Sequence, residues 1–167
     1  MIIKKNNFYL KSDNEQHAEQ FVSCSEKHTM DFAEQFSKKL IPGDVVCLDG
    51  DLGSGKTTFV KGAARFFKIE ESNVLSPTFT YLNLYPISPK KDDCCNFFFI
   101  AHFDLYRLQE EEFLSMGLDE YFQFPYISFI EWPERINISY LLDSCYIVSL
   151  CFKENTRKII FDYLVFS

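Results

Sequence analysis

The sequence predicts an α/β domain whose sheet is covered on both faces. Three observations carry this. Short apolar runs alternate with stretches of helical spacing, one such run feeds a glycine-rich turn that opens a helix, and two late apolar segments read as a hairpin. Strands buried on both faces read as near-continuous apolar runs, and these runs do. The closing hairpin makes the central sheet mixed, though mostly parallel.

The elements follow in order. The first 24 residues are polar and receive no element, so the folded domain is placed at residues 25–167. Ser25 reads as an N-cap, because Met30, Phe32, Ala33, Phe36 and Leu40 recur at helical spacing behind it. Ile41-Pro42-Gly43 ends that helix. Val45, Val46, Cys47 and Leu48 form a buried strand, residues 50–55 a turn, and residues 56–67 a helix. Further strands are expected at 79–85, 97–103 and 126–130, with a surface loop at 86–96. A helix spans 110–122 and breaks at Gly117. Residues 146–152 and 158–165 form the hairpin, turning at 154–156.

Composition narrows the function classes. At 167 residues, one domain is the expectation. Hydrophobic residues make up 47% and charged residues 25%, which excludes a mainly disordered chain. The 19 Phe predict a Phe-rich core. With 17 Lys+Arg against 24 Asp+Glu, the net charge of −7 argues against autonomous nucleic-acid binding, which needs a basic face. The N-terminus has no apolar signal core, and the longest apolar run falls far short of the ~20 residues of a membrane span. None of the six cysteines forms a C-x-x-C pair. Reduced, mostly buried thiols in a cytoplasmic protein are expected.

The motif that carries chemistry is Gly50-Asp51-Leu52-Gly53-Ser54-Gly55-Lys56-Thr57, which fits the P-loop pattern G-x-x-x-x-G-K-[ST]. A chance match in a chain of this length has a probability of roughly 0.5% at average glycine usage. Phosphates need several backbone N–H groups aimed at them, and glycine permits that turn and close approach. The helix that follows turns its positive end to the anion. Gly53, Ser54 and Gly55 belong to this phosphate cradle, Lys56 supplies a mobile cation for the β/γ-phosphates, and Thr57 is the expected magnesium ligand. Thr58 is placed at the α-phosphate.

A P-loop also needs a carboxylate at a neighbouring strand end. Asp104 and Glu131 both qualify, and both lie at the C-terminal sheet edge, where open α/β sheets bind ligands. The residues alone leave open which acid serves magnesium and which orients water. Only four arginines are present, Arg65, Arg107, Arg135 and Arg157, and they do not cluster as a nucleotide kinase would require. Neither N-K-x-D nor D-x-x-G occurs, so a guanine-specific GTPase is not indicated. These absences favour an ATPase that drives a partner. A small-molecule or nucleotide kinase is the alternative, and a nucleotide-binding regulatory module without turnover is a third reading.

Four blocks together resemble the TsaE (YjeE-like) family of P-loop ATPases of bacterial tRNA threonylcarbamoyladenosine synthesis: GDLGSGKTTF at 50–59, SPTF at 76–79, HFDLYR at 102–107 and EWP at 131–133. Glu26 and Thr29, in the pattern Ser25-Glu26-x-x-Thr29, resemble the family's N-terminal helix opening. The resemblance implies a three-layer α/β/α P-loop domain that uses ATP and Mg2+. It also implies work on a TsaB–TsaD heterodimer that modifies adenosine-37 of tRNAs reading ANN codons, with tRNA met through the complex. By position, Glu131 becomes the magnesium-linked acid and Asp104 the catalytic, water-positioning one. Lys56 is carried over as a catalytic phosphate contact. Glu26, Thr29, Trp132 and Pro133 are placed beside the nucleotide, and Arg157 resembles a late family arginine near it.

Smaller signals are read more plainly. His102 is expected to be structural or orienting rather than a general base. Ser76 and Thr78 are expected to bond the phosphate-side loop or a partner. Tyr106 and Arg107 are placed at the rim of the site, and Trp132 beside the base or in an interface.

Overall fold

The computed structural model describes residues 19–87, 98–153 and 156–166. Seven strands form one sheet: β1 (Glu19–Ser23), β2 (Val45–Asp49), β3 (Leu82–Ile87), β4 (Phe98–Asp104), β5 (Tyr126–Glu131), β6 (Ser144–Lys153) and β7 (Thr156–Val165). Their order is β1-β7-β6-β2-β5-β4-β3. β2 pairs in parallel with β5 and β6, and β4 in parallel with β5. β1–β7, β6–β7 and β3–β4 are antiparallel. The sheet is mixed, as expected, and only β3 and β7 run against the rest.

Alternation along β2 builds both layers of core. Val46 and Leu48 face one side, where α1 (Glu26–Phe36) and α2 (Lys56–Phe66) pack through Ala33, Phe36, Phe59, Val60 and Ala63. Val45 and Cys47 face the other side, against Phe113 of α3 (Glu110–Ser115), Leu118, Phe122 and Ile138 of α4 (Ile138–Leu141). The Phe-rich core divides the same way. Phe36 meets Phe59 edge-on at 5.5 Å between ring centroids, and Phe103 meets Phe122 at 5.6 Å on the opposite face. Such pairs contribute about 0.5–1.5 kcal/mol beyond area burial.

Several local expectations are met. Ser25 caps α1, its side chain accepting the His28 N–H at 3.1 Å. The 110–122 stretch breaks at Gly117, whose φ of +66° a residue with a Cβ adopts at a cost, and a 3-10 turn over Leu118–Phe122 continues it. α1 packs so closely on α2 at Gly62 that an added Cβ would collide with the Met30 backbone.

Other expectations are corrected. β1 lies inside the segment left without an element, so the folded unit begins no later than Glu19. It is held by pairing with β7 and by Phe21 stacked on Phe32 at 4.5 Å. The strand expected at 79–85 starts later, at Leu82. The N–H groups of Thr80 and Tyr81 both turn back to the Pro77 carbonyl, and Tyr81 has a φ of +64°, so the chain is still turning there. Pro86, assigned to the loop, sits in β3, which tolerates it as an edge strand. The loop's remainder, 88–96, and Phe97 lie outside the described residues, as do residues 1–18 and the hairpin turn at 154–155. Of the thiols expected to be mostly buried, four are described: Cys47 and Cys145 are buried, and Cys24 and Cys151 are exposed, while Cys94 and Cys95 fall outside the described residues. Among the described residues no helix is long and apolar enough to cross a membrane.

Candidate functional site

The site grows from the C-terminal end of β2. Gly50 follows with a φ of +146°, and a Cβ there would collide with the Leu150 carbonyl and with Ser54, so only glycine closes this turn. α2 then opens at Lys56, and its first-turn N–H groups lack helical partners, which makes its N-terminus an anion site. A cleft of about 370 Å³ lies over it, within the size range of small-ligand pockets.

Lys56 is 4% exposed. Its Nζ donates to the Gly50 carbonyl at 2.6 Å and the Asp51 carbonyl at 3.0 Å, and stands 4.0 Å above the Trp132 ring. Burial pulls its pKa below the ordinary lysine value, against the opposing pull of Glu131, Glu134, Asp104 and Asp49. The ammonium is therefore parked on the loop's own carbonyls, within reach of an incoming phosphate.

The two acids stand opposite each other across β4 and β5, in register. Glu131 Oε1 accepts the Thr57 hydroxyl at 2.7 Å and faces His102 Nε2 at 2.9 Å. Asp104 Oδ2 accepts the hydroxyls of Ser76 at 2.7 Å and Thr78 at 2.6 Å, while Oδ1 accepts the Tyr106 N–H at 3.1 Å. The SPTF hydroxyls therefore bond the strand-end acid, not the phosphate loop as expected. Sequence spacing gave no sign of this, because Asp104 is brought to them by the β3–β4 pairing.

The oxygen set fits the cation that a P-loop uses. Mg2+ is bound by one or two protein oxygens and completed by phosphates and water, and a hydroxyl and a carboxylate lie side by side here. No cluster of three or more His, Cys, Asp or Glu suited to a metal occurs among the described residues.

Most of the residues picked from sequence come together. Glu26, Gly53, Gly55, Lys56, Thr57, Thr58, Asp104, Glu131, Trp132 and Arg157 line the cleft. Arg157 reaches over from β7, its Nε donating to the Ser54 carbonyl at 3.1 Å, with a guanidinium nitrogen 4.0 Å from Glu26. Three picks do not line it. Thr29 is buried, its hydroxyl 2.7 Å from Ser23 Oγ and donating to the Ser25 carbonyl, so it ties β1 to α1 instead of facing a ligand. Pro133 is buried in a 3-10 turn. Ser54 is 2% exposed, and its hydroxyl lies under the loop without a partner among the described residues. Tyr106 and Arg107 are at the rim as expected: Tyr106 packs on Trp132 at 4.9 Å, and Arg107 lies over Phe79 at 4.7 Å.

The chain is similar to known proteins of one family. A family model described as "Threonylcarbamoyl adenosine biosynthesis protein TsaE" matches residues 23–159. The TsaE protein of Rickettsia prowazekii, described as a tRNA threonylcarbamoyladenosine biosynthesis protein, is 40% identical over 113 residues, covering 67% of this chain and 72% of that one. The Aquifex aeolicus TsaE protein is 38% identical over 115 residues, covering 66% and 74%. The crystal structure of YdiB from Bacillus subtilis superposes with a TM-score of 0.66 at 27% identity, covering 89% of this chain and 86% of that one. With a P-loop, two strand-end acids and a matching model over most of its length, the chain belongs to the TsaE family.

Proposed function

We propose that this protein is an ATP-hydrolysing subunit of threonylcarbamoyladenosine formation, acting on a TsaB–TsaD heterodimer that modifies adenosine-37 of tRNAs reading ANN codons. One observation carries the reading: Thr57 and Glu131, 74 residues apart in sequence, meet at 2.7 Å beside the P-loop lysine. That pairing is what a nucleotide–magnesium site needs and what an ordinary glycine-rich turn has no use for.

The roles follow from the contacts. Backbone N–H groups at 53–58 cradle the phosphates, and Lys56 exchanges the Gly50 and Asp51 carbonyls for phosphate oxygens. Thr57 and Glu131 would hold Mg2+, which when bound neutralises charge on the transferring phosphoryl group. Asp104 orients the attacking water once the Ser76 and Thr78 hydroxyls release its carboxylate. Trp132, Glu26 and Arg157 wall the nucleotide. Besides Arg157, no arginine lines the cleft, so the remaining transition-state charge is met by the partner, as in other P-loop enzymes. The net charge of −7 supports a reading in which tRNA is gripped by partners in the cytoplasm.

Phosphate release, measured with and without a TsaB–TsaD pair, tests this. Slow turnover alone, acceleration by the pair and tighter docking of the ATP-bound form are expected. Equal turnover with state-blind docking would sink the coupling, and absence of nucleotide binding would sink the site.

A further inference from the structure

Two donors converge on one oxygen beside the P-loop, and one of them has no role in the function proposed so far. His102 lies within β4, 0% exposed, with Nε2 at 2.9 Å from Glu131 Oε1. The Thr57 hydroxyl meets that same oxygen at 2.7 Å. Asp104 stands opposite Glu131 in the β4–β5 register, and His102 precedes Asp104 by two residues, so its side chain leaves the sheet on the same face as both acids. The other ring nitrogen, Nδ1, is buried and has no hydrogen-bond partner among the described residues.

The chemistry of these groups fixes their roles. A carboxylate oxygen only accepts, so the Nε2 that faces it carries a proton. Burying Nδ1 unpartnered is costly, and a leucine or phenylalanine would fill the space without that cost. Packing alone therefore gives no reason for histidine here; its donor to Glu131 does. Thr57 has a single hydroxyl proton. With that hydrogen bond donated to Glu131 Oε1, the hydroxyl's lone pairs point away from the acid, and lone pairs are what a hard cation takes from a hydroxyl.

We propose that His102 is a positioning residue for magnesium: donating Nε2–H to Glu131 Oε1, it holds the carboxylate where it accepts the hydrogen bond of the Thr57 hydroxyl and leaves the Thr57 lone pairs for the ion. This rests on the nucleotide–magnesium reading given above. Groups that orient a metal-binding side chain typically change metal affinity by about 10–100-fold when removed.

The test compares His102→Gln with His102→Asn. The glutamine amide nitrogen is as many bonds from the backbone as histidine Nε2 and can donate to Glu131. The asparagine amide stops at the position of Nδ1 and falls short. Both are polar, and a circular-dichroism melt establishes that each is folded. The readout is ADP affinity across a magnesium titration, followed by the fluorescence of Trp132, the only tryptophan. His102→Gln should need a magnesium concentration close to that of the unaltered protein. His102→Asn should need about ten-fold more or higher, with metal-free ADP affinity unchanged. Equal magnesium dependence of the two folded variants would overturn the proposal, as would, for whichever variant folds, a His102→Gln requirement raised about ten-fold or a His102→Asn requirement equal to that of the unaltered protein. If ADP binding by the unaltered protein ignores magnesium, the proposed function fails, and this inference with it. If magnesium matters but the two variants do not differ, this inference fails alone.

Discussion

A pair of substitutions separates the hydrogen bonding that Asp104 performs from the water positioning proposed for it. Its carboxylate, 3% exposed, accepts three hydrogen bonds: from Ser76, from Thr78 and from the Tyr106 N–H. Hydrogen bonds to a charged group contribute about 1.5–3 kcal/mol each. Ser76 is exposed and Thr78 half-buried, so after Asp104→Ala their hydroxyls regain water and return most of that loss. The Tyr106 N–H is less able to do so. The net cost should be about 2–4 kcal/mol, well below the sum of the three bonds. For a domain of this size that lowers Tm by roughly 5–15 °C. Asp104→Asn behaves differently. Its amide oxygen still accepts from Tyr106, and its NH2 can donate to the hydroxyl oxygens, so the network survives without its charge and the loss is about 1 kcal/mol. Water positioning needs the carboxylate, so hydrolysis should fall by about 100-fold or more in both variants, while ATP binding stays within a few-fold. Thermal melts, single-turnover hydrolysis and nucleotide titration measure the three quantities. Full hydrolysis by a stable Asp104→Asn would show that the acid only fastens residues 76–78, and an unshifted melt for Asp104→Ala would show that it does not even do that.

Four further outcomes are expected. Lys56→Ala removes a charge-assisted phosphate contact worth ~1.5–3 kcal/mol, and ATP affinity measured by calorimetry should drop at least about ten-fold. Burial lowers the Lys56 pKa in the free protein, so nucleotide affinity should decline with rising pH below the ordinary lysine value of 10.5; over the same interval the unfolded chain binds more protons and apo stability rises, and Lys56→Arg should abolish the affinity decline. Glu131→Ala should flatten the magnesium dependence of nucleotide binding, whereas Asp104→Ala should leave it intact. Gly62→Ala pushes a methyl into the Met30 backbone, which cannot swing aside, and denaturant unfolding should report a loss of about 1–3 kcal/mol with unchanged metal dependence.

What could be read from the sequence was what the sequence encodes locally. The P-loop is a contiguous string, and its turn and helix are set by residues within a few positions of one another. Val45 to Leu48 and Tyr126 to Ile130 are apolar enough to declare themselves strands. β1 did not, because Glu19 and Gln20 are exposed and only Phe21 and Ser23 turn inward; its support comes from β7 and from Phe32 on another element. The start of β3 was misplaced for a related reason. Ser76 and Thr78 are drawn to Asp104, which lies far along the chain, and that contact keeps residues 77–81 in a turn despite their strand-like composition. At the site, the residue types were legible but their partners were not. Thr29 has the hydroxyl of a ligand-binding residue and spends it on Ser23 and the Ser25 carbonyl. His102 is one strand residue among several until the β4–β5 register aims it at Glu131.

The place of β2 in the sheet has a consequence for how the molecule is made. The strand that leads into the P-loop is flanked by β5 and β6, which begin at Tyr126 and Ser144. A growing polypeptide exposes Val45 to Leu48 long before either neighbour has been synthesised. Neither α1 nor α2, which come first, can satisfy the strand's backbone N–H and C=O groups. Contacts this distant in sequence slow folding, because a long loop must be ordered before any of them forms. The phosphate cradle is completed later still, when Arg157 reaches the Ser54 carbonyl. Nascent chains halted on the ribosome before Tyr126 should therefore neither retain ADP nor resist protease around residues 45–60, and both properties should appear together once β6 and β7 have emerged.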